Sequence, residues 1–209
     1  MYTGIVQAVC PLISVTVNPG HNQMTVNFTE ELLDDLKIGA SISVEGTCLS
    51  VTQIQGTQVS FDAMTATLER TNIRYFQSGQ LLNIERAMKI NAEVGGHLMG
   101  GHIATTAVLT ELSITDSCSF VKFCIPANWS KYVFPRGFIG VNGCSLTVAD
   151  MEGDMVTIYL IPETLRRTTF PFYKVGDFLN IEVEQQTLVL VDVVERTIKA
   201  TLARNKLLL

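Results

Sequence analysis

Apolar and polar residues alternate along most of this chain in short runs, each broken by a turn signal. Gly4 to Val9, Gln23 to Phe28, Ser41 to Val44, Leu49 to Ile54, Gln58 to Phe61 and Leu81 to Glu85 carry the period-two pattern of half-buried strands. Asn18-Pro19-Gly20-His21-Asn22 and Gln55-Gly56-Thr57 separate them as turns. The second half shows the same pattern at His102 to Leu109, Ser119 to Ile125, Phe138 to Val141, Leu146 to Met151, Met155 to Leu160 and Phe178 to Val183. About six short strands per hundred residues predict a small closed antiparallel barrel in each half. Short helical pieces interrupt the strands at Thr29 to Leu33, with Thr29 as its N-cap, and at Thr65 to Asn72. Ala127 to Tyr132 and Glu163 to Thr169 stand at the matching places in the second half.

The match is a true repeat. EGTCLSV (Glu45 to Val51) returns as NGCSLTV (Asn142 to Val148), and an offset of 97 positions carries Gly46 to Gly143. The same offset carries Gly4 to Gly101, Val6 to Ile103, Leu68 to Leu165, Gly79 to Gly176, and Asn83-Ile84-Glu85 to Asn180-Ile181-Glu182. One module is written twice. We divide the chain into residues 1–95, 96–186 and 187–209, with the first joint near Glu93-Val94-Gly95-Gly96-His97, where two glycines suit a bend. Leu188 to Leu207 has no counterpart. Leu190, Val194, Ile198 and Leu202 fall on one helical stripe with Val191 beside them, while Glu195, Arg196, Lys199 and Arg204 lie off it. This predicts a terminal helix that either covers its own barrels or meets copies of itself. The second is favoured, because a helix outside the repeat needs apolar surface to cover it.

Composition narrows the picture further. With 47% hydrophobic and 17% charged residues among 209, a packed core is available. A net charge of −5 gives no electrostatic reason to bind nucleic acid or an anionic membrane. No apolar run reaches the roughly 18 residues of a membrane span, and MYTGIVQAVC has no basic region ahead of an apolar run. The five cysteines, Cys10, Cys48, Cys118, Cys124 and Cys144, are odd in number and lack metal-type spacing. They read as free thiols of a reducing, cytoplasmic compartment.

Candidate chemistry sits at the repeated strings. Gly46 and Gly143 permit tight turns that present Cys48-Leu49-Ser50 and Ser145-Leu146-Thr147. Small hydroxyls and thiols beside free backbone groups suit a flat, multiply hydrogen-bonding ring, although a hairpin with a buried cysteine would look the same. In GGHLMGGHI (Gly95 to Ile103), His97 and His102 are five apart, which is wrong for a shared metal, and no metal site is expected. Each histidine stands alone, and His102 replaces the Ile5 of the first half. In IPETLRRTT (Ile161 to Thr169), Glu163 and Thr164 open a short helix, either as ordinary capping or as a hydroxyl- or anion-binding end. Glu182 and Glu184 point the same way on a strand, the spacing of a solvated face. Asp62 follows a strand end.

Together, MYTGIV, GASISVEGTCLSV, GGHLMGGHI, GFIGVNGCSLTV, IPETLRRTT and the apolar terminal helix resemble the riboflavin synthase family of the trimeric, lumazine-binding type, over essentially the whole chain. The resemblance implies a mainly β fold: two tandem six-stranded Greek-key barrels and a C-terminal α-helix that holds a homotrimer. It implies a cytoplasmic transferase of riboflavin biosynthesis. Two molecules of 6,7-dimethyl-8-ribityllumazine exchange a four-carbon unit to give riboflavin and 5-amino-6-ribitylamino-pyrimidinedione, without metal or organic cofactor. The site would lie between subunits, and lumazine synthase is a candidate partner.

The resemblance assigns to a first pocket Gly4, Ile5, Val6, Cys48, Leu49, Ser50 and Asp62, Ala63, Met64, Thr65, Ala66, Thr67. To a second it assigns Gly101, His102, Ile103, Arg136, Ser145, Leu146, Thr147 and Leu160, Ile161, Pro162, Glu163, Thr164, Leu165. Ser41 and Cys48 are the polar candidates for catalysis on one side, His102, Ser145 and Thr147 on the other. Glu184 stands where the family usually has an aspartate, Tyr2 where it has a phenylalanine, and Ser50 where it has a threonine. The competing expectation is a non-enzymatic relative that binds one lumazine or flavin as a fluorescent antenna. Such proteins tend to lose the GGHxxxGH histidines and the terminal helix, and both are present here. A pure scaffold gives no reason for Cys48, His102 and the hydroxyls to sit at matching turns.

Overall fold

A computed structural model of the chain describes residues 1–115 and 117–206. The expected helix end at Leu207 lies outside the described residues. In the first half, β1 (Ala8–Asn18), β2 (His21–Asn27), α1 (Glu30–Leu33), β3 (Ser41–Val44), β4 (Thr47–Gln55), β5 (Gln58–Met64), α2 (Thr65–Arg70) and β6 (Leu81–Arg86) follow in order, with a 3₁₀ turn at Asn72–Tyr75. The strands close into an antiparallel barrel, β1-β2-β5-β4-β3-β6. Alternation puts Leu12, Met24, Val26, Phe61 and Ile84 inside, all fully buried. Each such side chain contributes about 1.5–3 kcal/mol by leaving water.

The second half has β7 (Thr105–Ser113), β8 (Phe120–Cys124), α3 (Ala127–Ser130), β9 (Phe138–Val141), β10 (Cys144–Thr147), β11 (Asp150–Glu152), β12 (Met155–Tyr159), α4 (Pro162–Arg167) and β13 (Phe178–Val183). α3, β9, α4 and β13 match α1, β3, α2 and β6 residue for residue at the sequence offset. β10 and β11 together cover the positions of β4, so the expected single strand Leu146 to Met151 is two strands. Between them, Val148 N–H turns to Gly137 O at 3.0 Å and Ala149 N–H to Thr157 O at 2.9 Å. The sheet therefore runs β10-β9-β13-β7-β8-β12-β11, and its two ends are the halves of one interrupted strand. It curls around Leu109, Phe123, Val156, Phe170 and Ile181.

The strand starts shift from those expected. Gly4 and Gly101 have φ of 74° and 75°, a conformation no strand holds, so β1 begins at Ala8 and β7 at Thr105. β1 then runs on through Pro11, whose missing N–H is tolerated where the ladder changes partner from β6 (up to Pro11) to β2 (from Leu12). Thr29 stands at the start of α1 but its side chain makes no capping bond.

The halves meet on their repeated turns. Glu45-Gly46 and Asn142-Gly143 each hold positive φ at both central residues (47° and 81°, 48° and 81°), as a type I′ hairpin requires. The two turns lie back to back. A Cβ on Gly46 would fall 2.6 Å from Gly143 N, and one on Gly143 would fall 2.8 Å from Gly46 N. Two buried asparagines lace the contact reciprocally. Asn83 Nδ2 donates to Asn142 O at 3.0 Å, and Asn180 Nδ2 donates to Glu45 O at 2.8 Å. Asn83 Oδ1 accepts from Thr169 N–H at 2.8 Å, and Asn180 Oδ1 accepts from Asn72 N–H at 2.7 Å. Tyr75 of one half stacks on Phe178 of the other, centroids 4.8 Å apart.

The junction breaks its symmetry most plainly at Glu45. Glu45 is fully buried where the second half has Asn142. Its carboxyl accepts from Asn83 N–H at 2.6 Å, Tyr173 OH at 2.8 Å and Thr169 Oγ1 at 3.2 Å. Burial pushes its pKa up to about 7, against the lowering effect of those donors.

α5 (Gln185–Lys206) leaves β13 and docks on the second half. Leu188 packs on that core, and Tyr132 OH donates to Asp192 Oδ1 at 2.6 Å. Leu190, Val194, Ile198 and Leu202 stay exposed along the helix. Among the described residues no helix is long and apolar enough to cross a membrane.

Gly143→Ala should therefore cost about 3 kcal/mol or more, because it adds a backbone clash to a strained φ. Gly153→Ala, with φ of 59° but nothing within 4 Å, should lose only the strain, about 1 kcal/mol. Urea unfolding of both variants measures the difference, and equal losses would remove the turn contact as the cause. Glu45 has a folded pKa raised above the ordinary 4.5, so its contribution to stability is present below that value and is lost as pH rises through about 7. Glu45→Gln removes this dependence. Relative to the unmodified protein it should gain about 2–3 kcal/mol between pH 5 and pH 8 in urea unfolding, and a constant difference would refute the assignment.

Candidate functional site

Two crossing arms build the site. Gly4 O accepts from Ser145 N–H, and Gly101 O accepts from Cys48 N–H, both at 2.8 Å. Each arm thus seals the repeated turn of the opposite half. Only glycine fits: a Cβ on Gly4 would meet Ser145 Cβ at 2.5 Å, and one on Gly101 would meet Cys48 Cβ at 2.6 Å. Tyr2 and Met99 pair as a short antiparallel bridge where the arms pass, with N–H···O distances of 2.8 and 3.0 Å.

A buried carboxylate holds each arm. Glu85 accepts from Thr3 N–H at 2.7 Å, Thr3 Oγ1 at 2.8 Å and Gly4 N–H at 3.0 Å. Glu182 accepts from Gly100 N–H at 2.6 Å and Gly101 N–H at 3.0 Å. Burial raises both pKa values, Glu182 to about 7, while the amide donors pull them back. The expected solvated face at Glu182 and Glu184 is thus corrected. Glu182 is buried because arm amides take its lone pairs. β13 ends at Val183, and Glu184 sits at the start of α5, accepting from the Thr187 hydroxyl.

The crossing sorts the expected site residues differently from the resemblance. Val6 packs into the core of the second half. Gly4, Ile5 and Val6 line a groove of about 1010 Å³ together with Ser145, Leu146, Ile161, Glu163 and Thr164. Leu160 and Leu165 pack in the core beneath, and Pro162 opens α4. The other wall is the inter-half linker, with Met88, Lys89, Ala92 and Glu93, which the strand pattern does not mark. Ser145 Oγ lies 2.7 Å from His97 Nδ1, and the His97 ring stacks on Phe138 at 5.1 Å. His97 is buried, its Nε2 has no hydrogen-bond partner among the described residues, and burial lowers its basicity against the charge of Glu184. His97 therefore joins Ser145, a pairing unread in the sequence because His97 falls between the repeats. Its clue was Gly96, where a Cβ would fall 2.3 Å from Thr3 O. Thr147 is exposed on β10, opposite Phe138.

On the other side, Gly101 bonds Cys48, and His102 and Ile103 follow it along the arm. His102 is exposed and Ile103 nearly buried. Cys48 is half-buried and its Sγ accepts from Tyr2 OH at 3.1 Å. Leu49 faces the core, and Ser50 pairs across the ladder with Ser41. Asp62 lies within β5, where Gln23 Nε2 donates to it at 3.3 Å. Ala63 is fully buried and Met64 exposed, while Thr65 Oγ1 donates to Gly20 O at 2.9 Å. Ala66 and Thr67 continue into α2. Arg136 is brought to neither group: it is exposed on a φ of 70°, ahead of β9. All five cysteines are free thiols.

The chain matches the family model of the lumazine binding domain twice, over residues 3–87 and 100–184. It is 42% identical to riboflavin synthase of Escherichia coli K12, over 96% of this chain and 94% of that protein. It is 38% identical to riboflavin synthase of Buchnera aphidicola from Schizaphis graminum, over 95% and 96%, and 33% identical to that of Chlamydia trachomatis, over 94% and 96%. Its fold is similar to crystal structures of LumP complexed with riboflavin (TM-score 0.84) and with 6,7-dimethyl-8-(1′-D-ribityl) lumazine (TM-score 0.82). Each is 23% identical and covers 88% of this chain and 100% of that one.

Proposed function

This chain belongs to the lumazine-binding domain family, and we propose that it catalyses the riboflavin synthase reaction. Two molecules of 6,7-dimethyl-8-ribityllumazine enter; a four-carbon unit passes from one to the other; riboflavin and 5-amino-6-ribitylamino-pyrimidinedione leave. The observation that carries this reading is one arm-and-turn crossing built twice with unequal chemistry: Tyr2 bonded to Cys48 at the first turn, His97 paired with Ser145 at the second. Twin reactants call for twin cups, and unequal roles call for unequal groups.

The chemistry asked of the protein is modest. Holding two rings in register is worth roughly 7–11 kcal/mol of the barrier in favourable cases. The lumazine C7 methyl is acidic, so general acid–base help suffices. In this reading the groove beside Ser145, Leu146 and Ile161 to Leu165 takes one ring, and Cys48 to Ser50 with Asp62 to Thr67 and Gly101 to Ile103 takes the other. Ser41, Cys48, His102, Ser145, Thr147 and Glu184 supply the polar groups, and Arg136, brought to neither group in its own chain, serves a ligand held by a neighbouring subunit. The enzyme is a cytoplasmic transferase without metal or organic cofactor. It works as a homotrimer assembled on the α5 stripe, which brings a cup of one subunit to face a cup of its neighbour. Lumazine synthase, whose product it consumes, is a fitting partner. The antenna reading shares the fold, but relatives named riboflavin synthase span nearly the full chain.

Purified protein incubated with the lumazine should consume two equivalents for each riboflavin formed, with the pyrimidinedione in equal amount by chromatography. Bound, fluorescent and unchanged lumazine would instead establish the antenna. Val194 and Ile198 are about half exposed on α5 (47% and 53%). Changing both to aspartate should yield monomers by sedimentation that still bind ligand but turn over at least about tenfold more slowly, since positioning is lost. A trimeric and fully active double variant would refute the inter-subunit site.

A further inference from the structure

We propose that the Tyr2 hydroxyl is a positioning group for Cys48, acting as a fixed hydrogen-bond donor to its sulfur that the second cup lacks. Tyr2 is 1% exposed, and its hydroxyl donates to Cys48 Sγ at 3.1 Å. Both ends of the residue are pinned. Its backbone N–H and C=O bond to Met99, and its ring packs so close to Gly101 that a Cβ there would fall 2.8 Å from Cε2. The hydroxyl's place is therefore set by the passage of the two arms, not by a flexible side chain.

The chemistry of the pair has one direction. Burial is the largest effect raising the Tyr2 pKa, followed by the bond to Cys48 and the negative charges of Cys48, Glu85 and Glu182. The phenol therefore keeps its proton, and its hydroxyl donates toward the sulfur. A donor aimed at the sulfur holds the side chain in one rotamer and keeps the sulfur in one place and orientation.

The second cup shows what the arrangement is without that donor. Met99 occupies the Tyr2 position at the repeat offset, and Ser145 occupies that of Cys48. A Cβ on Gly4 would meet Met99 Sδ at 2.7 Å and Ser145 Cβ at 2.5 Å, so the packing is preserved. A thioether has no proton to give, and Ser145 Oγ finds its partner in His97 instead. The two cups keep one scaffold and exchange the group behind the reactive atom.

The effect on turnover rests on the riboflavin synthase reading; the effect on the thiol does not. Tyr2→Phe keeps the ring and removes the donor. Labelling of the folded protein with iodoacetamide, followed peptide by peptide, should show Cys48 reacting about three- to tenfold more slowly at pH 7.5. Exposed Cys118 and Cys124 should label at unchanged rates and serve as internal standards. The kcat should fall about three- to tenfold with KM within about twofold, and in a Cys48→Ala background Tyr2→Phe should change neither. Cys48 labelling that is unchanged or faster would overturn the proposal, as would an equal loss of kcat in the Cys48→Ala background. Slowed labelling in a protein that makes no riboflavin would keep the Tyr2 assignment and discard the reaction.

Discussion

The contact between the Glu45-Gly46 and Asn142-Gly143 turns is the constraint on which the rest of the molecule depends. It is backbone against backbone, closer than any side chain would allow. Such an approach leaves amides and carbonyls with no room for water. The Asn83 and Asn180 side chains bond them across the junction in matched pairs. A buried polar network paired across the junction in this way favours one relative placement of the two halves over any slipped one, because a slip strands several donors together. With the halves fixed, the arms through Gly4 and Gly101 have only one route. Each crosses the junction and backs the turn of the other half. Neither cup is the property of one half, although each half has its own core.

The same junction explains why an internal repeat does not give two equal sites. Where atoms meet on the pseudo-symmetry axis, the residues are held alike: Gly46 and Gly143, Asn83 and Asn180, Glu85 and Glu182, Gly4 and Gly101. One step away from it they diverge. Glu45 faces Asn142, Tyr173 stands for Phe76, Tyr2 for Met99, Cys48 for Ser145. The first set is constrained from both sides at once, so a change there is felt in both halves. The second set differs between the halves while the backbone contact of the two turns is kept. Unequal chemistry accumulates in the shell where it harms the junction least.

Much of this was legible along the chain. The constant offset announced two modules, and β3, β9, β6 and β13 start and end close to where alternation places them. Helix α5 announced itself by lying outside the repeat. What alternation could not disclose is which half covers a given face. Gly4 to Val9 looks like a strand of the first barrel, yet Val6 enters the second core. Glu182 and Glu184 have the spacing of a solvated pair, but burial depends on who donates to the carboxylate, and those donors, Gly100 and Gly101, are remote in sequence. Tyr2 appeared as a harmless change to a ring. Its hydroxyl acquires meaning only because the crossing of the arms lays it against Cys48. Cys10-Pro11-Leu12-Ile13 hid the middle of β1, since a proline argues against a strand unless the ladder changes partner there.

The crossing also bears on the proposed assembly. The junction that fixes both halves fills the space between them with packed backbone, so two ligands held on opposite sides of it do not meet within one chain. In the proposed reaction the two bound rings would meet where cups of different chains face one another. The exposed stripe on α5 is the surface that proposal uses. It is anchored to the second half by Leu188 and Asp192 while its apolar residues stay uncovered. On the proposed reading, rigidity inside the chain and association between chains are two sides of one arrangement: the closer the halves pack, the more completely the meeting of substrates would be handed to the assembly.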